Sequence, residues 1–331
     1  MPIPDFRGQL VLVTGAAGFI GSHLVDSLLE RGARIRGLDN LSTGKRESLD
    51  HCLKRIEFLE GDIRDKDTCH LACKEVVFVF HEAALGSVPR SMKDPATTIE
   101  VNVSGTANVF AAAREAGVRR VVYASSSSVY GDSDKLPKRE GEEGKPLSPY
   151  SLSKVVGERM AEVFERCFGM ELIGLRYFNV YGPRQDPEGP YAAVIPRFFA
   201  ACLSGAAPTI YGDGTQSRDF TYVADAVAAN LLAAGAPETA CGRAYNVGGG
   251  HQTTLLDLAR TVRRLVGGGP EPRLAEARPG DVRHSLADLK RVSQSIGYSP
   301  SVDLESGLTD SFRHYSAVRV NSVPSDSLGS F

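Results

Sequence analysis

The chain of 331 residues predicts an α/β fold, a doubly wound parallel sheet with a smaller C-terminal α/β lobe. Short apolar runs alternate with segments of helical periodicity through the first half, which argues for a parallel sheet with helices on both faces. A glycine-rich turn, Gly15-Ala-Ala-Gly18-Phe-Ile-Gly21, joins the first run to the first helix. Beyond Gly182 the alternation breaks, and Pro183, Pro187, Pro190 and Pro196 punctuate a loop-rich stretch where a second lobe begins.

Leu10 to Thr14 is a short apolar run stopped by Gly15, the pattern of a buried strand. Phe19 to Arg31 has helical periodicity and stops at Gly32. Arg34 to Leu38 is the next strand, ending at Asp39, and Ile56 to Glu60 and Val76 to Phe80 are two more. Asn102 to Ala116 reads as a helix ended by Gly117, followed by a strand over Val121 to Ser125. A long helix over Tyr150 to Phe168 and a strand over Leu172 to Tyr177 complete the series, and Tyr245 to Val247 returns to the sheet. The expected division is a nucleotide-binding unit over 1–182, rejoined around 240–262, and a smaller lobe over 183–315. Residues 316–331, rich in Ser, Val and Pro without periodicity, read as a disordered tail.

Composition narrows the function classes. Hydrophobic residues make up 42% and charged residues 24%, ordinary values for a soluble globular protein. Lys+Arg 38 against Asp+Glu 40 gives a net charge of −2, so no nucleic-acid partner is expected. Cys52, Cys69, Cys73, Cys167, Cys202 and Cys241 are scattered without a C-x-x-C pair, which argues against a disulfide framework and against a metal site. There is no charged-then-apolar leader and no apolar run of membrane-spanning length, so the expectation is a cytoplasmic protein without a membrane partner.

Gly15, Gly18 and Gly21 follow a strand and open a helix, the arrangement that lets backbone approach a pyrophosphate at a helix N-terminus. The spacing is G-x-x-G-x-x-G, and its place after the first strand makes the sheet Rossmann-type. Asp39, at the end of the second strand, would accept hydrogen bonds from ribose hydroxyls and repel a 2′-phosphate, which favours NAD over NADP. Asp62 and Ile63, after another strand, suit the adenine edge. Tyr150 and Lys154 share one helix face at i and i+4. A lysine one turn from a tyrosine favours the ionised phenol, which beside a dinucleotide suggests alcohol–ketone redox chemistry.

Thr14-Gly15-Ala-Ala-Gly18-Phe-Ile-Gly21, Gly61-Asp62, His81-Glu-Ala-Ala84, Ser125-Ser-Ser-Ser128-Val-Tyr-Gly131, Tyr150-x3-Lys154 and Arg176-Tyr-Phe-Asn179-Val-Tyr-Gly182 occur in that order. Over roughly residues 8–315 the chain resembles the extended short-chain dehydrogenase/reductases, in particular nucleotide-sugar 4-epimerases. The resemblance implies tightly held NAD⁺, with contacts also from Phe19, Ile20, Asn40, Ser42, Gly44, Ala83, Ala84, Asn102, Tyr177 and Val180. It implies Ser126 as the catalytic hydroxyl beside Tyr150 and Lys154, and Ser127 and Ser128 as lining of the sugar pocket. Asn179 would meet the diphosphate or sugar, Arg218 and Arg278 the phosphates, and Asp281 the uridine ribose. Ser87, Arg90, Gln185, Ala193, Val194 and Tyr211 complete the implied substrate contacts.

The implied reaction is removal of the sugar 4-hydroxyl proton by Tyr150, oxidation at C4 to a 4-keto sugar, and reduction from the opposite face. Dehydratases and decarboxylases of this group carry an added carboxylate before Val-Tyr-Gly, whereas Ser126-Ser127-Ser128 carries none, which points to epimerisation. Segments 84–91 and 185–196 resemble bacterial epimerases of UDP-N-acetylglucosamine and UDP-N-acetylgalactosamine. Ser285 matches a gatekeeper position where a small residue leaves room for the N-acetyl group, and UDP-glucose and UDP-galactose are expected side substrates. The alternatives are a UDP-glucuronate 4-epimerase, which shares the serine run, and a non-catalytic dinucleotide-binding regulator. The resemblance further implies a homodimer built from the helices over 102–116 and 150–168.

Overall fold

A computed structural model describes residues 3–188, 192–277 and 282–322, with side chains through 317. The first elements are β1 (Leu10–Thr14), α1 (Phe19–Glu30), β2 (Arg34–Asp39), β3 (Glu57–Glu60), α2 (Lys66–Cys73) and β4 (Phe78–His81). Then come α3 (Val88–Lys93), α4 (Pro95–Ile99), a π-helical turn at Glu100–Gly105, α5 (Thr106–Glu115) and β5 (Arg120–Ser126). α6 (Pro149–Phe168) leads to β6 (Glu171–Tyr177) and the short β7 (Val180–Tyr181). The remainder contains α7 (Val194–Leu203), β8 (Thr209–Tyr211), β9 (Ser217–Asp219), β10 (Thr221–Tyr222), α8 (Val223–Ala234) and β11 (Arg243–Val247). It ends with β12 (Gln252–Thr254), α9 (Leu255–Val266), β13 (Arg273–Ala275), α10 (Lys290–Ile296) and α11 (Leu304–Ser322).

Seven strands pair in parallel in the order β11-β6-β5-β4-β1-β2-β3. Chain order reverses between β1 and β4, so a crevice opens beyond their carboxyl ends. Period-2 alternation splits the core between the two faces. Val11, Val13, Phe78, Phe80, Ile173 and Leu175 pack with α1, α8 and α10. Leu10, Leu12, Val79, Val121 and Leu172 pack with α2, α5 and α6 on the other side.

The helix that carries Tyr150 is fixed at both ends. Ser148 Oγ accepts from the Ser151 N–H at 3.1 Å, Pro149 occupies the first turn, and Gly169 closes the helix at φ 66°. Its inner face is anchored by charge, because Arg176 of β6 donates to both Glu158 oxygens at 2.8 and 2.7 Å. Ser125 donates to the same carboxylate at 2.5 Å, and Glu143 pairs with Arg176 from the loop before α6.

The smaller lobe has its own core, in which Leu255, Leu258, Ala259 and Val262 form one helical stripe against Ile195, Phe198 and Phe199. The chain passes between the two cores more often than its sequence suggests. α8 and α10, inside 183–315, belong to the sheet's core, whereas α9, which starts inside 240–262, belongs to the smaller lobe. α11 also continues to Ser322, past the expected start of the tail at 316; residues 323–331 lie outside the described ones. All six cysteines are free. Among the described residues no helix is long and apolar enough to cross a membrane.

Candidate active site at the sheet switch point

The glycine turn is dictated by space. Gly15 has φ 68°, and a Cβ there would lie 2.7 Å from the Ala83 nitrogen. A Cβ on Gly21 would lie 2.0 Å from the Gly15 carbonyl oxygen, so the helix can start this close to the strand only with glycine. The carboxylate of Asp39 accepts from the Ala17 and Leu41 N–H groups at 2.9 and 2.8 Å. Burial raises its pKa, and these backbone donors act against the rise. A Cβ on Gly44 would lie 2.9 Å from an Asp39 oxygen, so Gly44 shapes the loop that closes over the acid.

A cavity of about 490 Å³ opens here, bounded by the glycine turn, Asp39 and the α6 residues Tyr150 and Lys154. Phe19, Ile20, Asn40, Ser42, Ile63, Ala83, Ala84, Tyr177 and Val180 also line it, as the sequence suggests. Three expected contacts are absent from the lining: Gly44, in the loop over Asp39, and Asn102 and Asp62. Asn102, in the π-helical turn, is buried and clamps Leu85 through 2.8 and 3.2 Å bonds, reaching the cavity only through that residue. The Asp62 carboxylate is taken by Arg64 and Asn40, and the Arg64 pairing holds its pKa at about 2.

At the floor Lys154 Nζ donates to the Ala124 carbonyl at 2.8 Å and stands 5.9 Å from the Tyr150 ring centroid. Burial pulls its pKa down to about 8, against the charges of Glu82 and Glu158. The sequence reading expects Lys154 to hold the phenol partly ionised, and the structure adds two further influences. Burial raises the Tyr150 pKa, and the group pulling it down is the Ser126 hydroxyl. With a pKa of about 8 Lys154 still carries most of its charge at neutral pH, and its ammonium is turned to the Ala124 carbonyl. Ser126 and Ser127 line the cavity, whereas Ser128 does not; its buried Oγ has no hydrogen-bond partner among the described residues. Glu82, to which the sequence reading gave no role, lies in the wall and accepts from Tyr177 Oη at 2.7 Å.

A second cavity of about 370 Å³ adjoins the first and shares Asn179, Val180, Gln185 and Ala193 with it. Ser87, Val194, Tyr211 and Arg218 line the second cavity, so the structure brings these predicted substrate residues together. Arg90 stands apart, in a side cavity with Asn40, Ser42 and Arg64. Ser285 lines neither large cavity; its buried hydroxyl lies 3.5 Å from Asn179 Nδ2 and accepts from the Asp219 N–H at 3.3 Å. Arg278 and Asp281 lie outside the described residues.

The cradle that a Cβ would fill, the acid at Asp39 and the cavity running between them and Tyr150 fit a dinucleotide. Fold and cleft together define the class, an extended short-chain dehydrogenase/reductase. Residues 11–248 match the NAD dependent epimerase/dehydratase family. The chain is 41% identical over 301 residues to the UDP-glucose 4-epimerase of Mycolicibacterium smegmatis, covering 90% of this chain and 95% of that one. The fold matches a UDP-N-acetylglucosamine 4-epimerase from Methanobrevibacter ruminantium, in complex with UDP-N-acetylmuramic acid, at a TM-score of 0.90 and 37% identity, covering 94% and 99% of the two chains. It matches a Thermus thermophilus UDP-glucose 4-epimerase complexed with NAD at 0.85 and 38% identity, covering 93% and 99%. The chain belongs to the NAD dependent epimerase/dehydratase family, among its nucleotide-sugar 4-epimerases, and NAD is its cofactor.

Proposed function

We propose that this protein interconverts UDP-N-acetylglucosamine and UDP-N-acetylgalactosamine by epimerisation at C4 through a 4-keto sugar. The observation that carries the reading is the cavity floor, where Tyr150, Lys154 and Ser126 meet and the serine run supplies no carboxylate for a dehydration or decarboxylation step. Tyr150 takes the proton of the sugar 4-hydroxyl, and Ser126, the hydroxyl that draws the phenol's pKa down, steadies it. NAD, when bound, supplies the reversible hydride acceptor that lets C4 be oxidised and then reduced from the other face. Lys154 adds positive charge at the same end of the cleft. The second cavity gives the ketone room to turn between the two half-reactions.

Asn179 and Gln185, at the junction of the cavities, supply polar contacts to the sugar. Arg218, with Arg278 and Asp281 on the strength of the resemblance, holds the UDP moiety. Small Ser285 beside Asn179 supports accommodation of the N-acetyl group, with UDP-glucose turning over more slowly. Proton NMR of the purified protein with UDP-N-acetylglucosamine, UDP-glucose and UDP-glucuronate in separate tubes tests the reading. The expected result is a UDP-N-acetylgalactosamine anomeric signal that forms faster than product from the other two, without added cofactor. Faster turnover of UDP-glucose or of UDP-glucuronate rejects the sugar assignment.

A further inference from the structure

Glu82 follows β4 at the switch point and places a carboxyl group in the wall of the dinucleotide cleft. Tyr177, at the end of β6, donates to it at 2.7 Å, and buried Asn230 of α8 donates to the Tyr177 hydroxyl at 2.7 Å. Side chains from two further elements thus orient the carboxyl group. Its charge acts on Lys154, and each group favours the ionised form of the other. Burial pushes the Glu82 pKa up to about 7 against Tyr177 and Lys154. Proton removal at Tyr150 uses none of this, and a carboxyl group kept in a cleft that disfavours its charge needs another reason.

We propose that Glu82 is the counter-charge to the oxidised nicotinamide, biasing the cleft toward NAD⁺ over NADH. The inference rests on NAD as cofactor and is independent of which sugar is bound. The two cofactor forms differ by one positive charge on the ring. That ring works at the Tyr150 end of the cleft, because the oxidised carbon bears the hydroxyl that Tyr150 deprotonates. Lys154 alone would set a cation against a cationic ring. Glu82 offsets that repulsion, and in a poorly solvated cleft the effect of one charge is large. An enzyme that must return its electrons to the sugar in every cycle gains a short-lived ketone and a cofactor that reverts to its starting state.

The test equilibrates purified protein with mixtures of NAD⁺ and NADH and reads bound NADH by its fluorescence, without sugar. Glu82→Gln keeps an acceptor for Tyr177 and removes the charge. The preference for NAD⁺ is expected to fall by about tenfold or more in this variant, and Glu82→Asp is expected to restore most of it. From about pH 6 to about pH 8 the native preference should grow as Glu82 ionises. Of the groups that share that part of the cleft, Tyr150 and Tyr177 stay protonated over this range, and Lys154 titrates near its upper end and loses protons more readily once the Glu82 charge is gone, so the native-minus-variant difference is read at the lower end of the range. An unchanged ratio in Glu82→Gln overturns the proposal. Equal weakening of both nucleotides, or no rescue by Glu82→Asp, overturns it as well and leaves Glu82 a packing role. A native protein that binds neither nucleotide would instead undo the NAD assignment.

Discussion

Tyr150 and Lys154 occupy a floor whose burial opposes charge on both. Tyr150→Phe removes the only atom the proposed proton transfer needs and little else. Its turnover is expected to fall by about 10²–10⁴-fold, while NAD bound per chain, read by absorbance after desalting, stays at the native level. Lys154 makes a prediction about stability. Its pKa of about 8 lies below the ordinary lysine value of 10.5, so between these values the unfolded chain binds more protons and stability rises with pH. Below that window the folded state bears the cost of a buried ammonium. Lys154→Met is therefore expected to stabilise the protein by roughly 1–3 kcal/mol near neutral pH, with the gain fading from about pH 8 upward and lost above about pH 10. Urea denaturation at several pH values checks this; a loss of stability at neutral pH would show that the Ala124 hydrogen bond outweighs desolvation. The Tyr150–Lys154 pair and Asp39 were legible in the sequence because a helical turn or a strand end fixes their setting locally. Glu82 was not, because its partners Tyr177 and Asn230 lie far along the chain and no local pattern announces them. Ser128 shows the converse, since adjacency to Ser126 and Ser127 did not carry it into the cleft.

At the scale of elements, the parallel strands could be read because most of them, β3 excepted, are near-continuous buried runs. The strands of the smaller lobe are two or three residues long, too short for any periodicity to register. α8 is almost uniformly apolar and rich in alanine, so no stripe marked it as a helix lying on the sheet. What holds α6 to that sheet is the buried Arg176–Glu158 pair, with Ser125 and Glu143 completing it. Removing one partner leaves an uncompensated charge in a dry site. Arg176→Met is expected to cost about 3–5 kcal/mol, and adding Glu158→Leu should recover part of that loss, both read by chemical denaturation. If the double variant is as unstable as the sum of the single changes, the two side chains act independently. The glycine turn gives a second test at this scale. Gly21→Ala forces a methyl group onto the Gly15 carbonyl, so bound NAD should fall to a small fraction of the native amount.

For the whole molecule, α6 poses a question that one chain does not answer. Its inner face carries Tyr150, Lys154 and Glu158, while Leu152, Val156 and Val163 fall within one stripe on the outer side. Leu152 and Val163 are 46% and 41% exposed, with Phe168 at the same helix's end. A soluble protein rarely leaves such a stripe to water on a helix that also positions its reactive group. Packing two copies of α5 and α6 across a two-fold axis would bury it, because an isologous contact sets the stripe against itself. The expected solution mass by light scattering is therefore twice the 35.5 kDa of the chain. A charge on the stripe should split the dimer, because an unpaired carboxylate inside an apolar contact is costly. Val163→Glu with Leu152→Glu is expected to give the single-chain mass. The same variant should lose turnover more than it loses NAD, since loosening α6 moves Tyr150 while the glycine turn and Asp39 stand on other elements. A native protein of single-chain mass would reject the dimer. A charged variant that stays dimeric would place the contact on another face of the molecule.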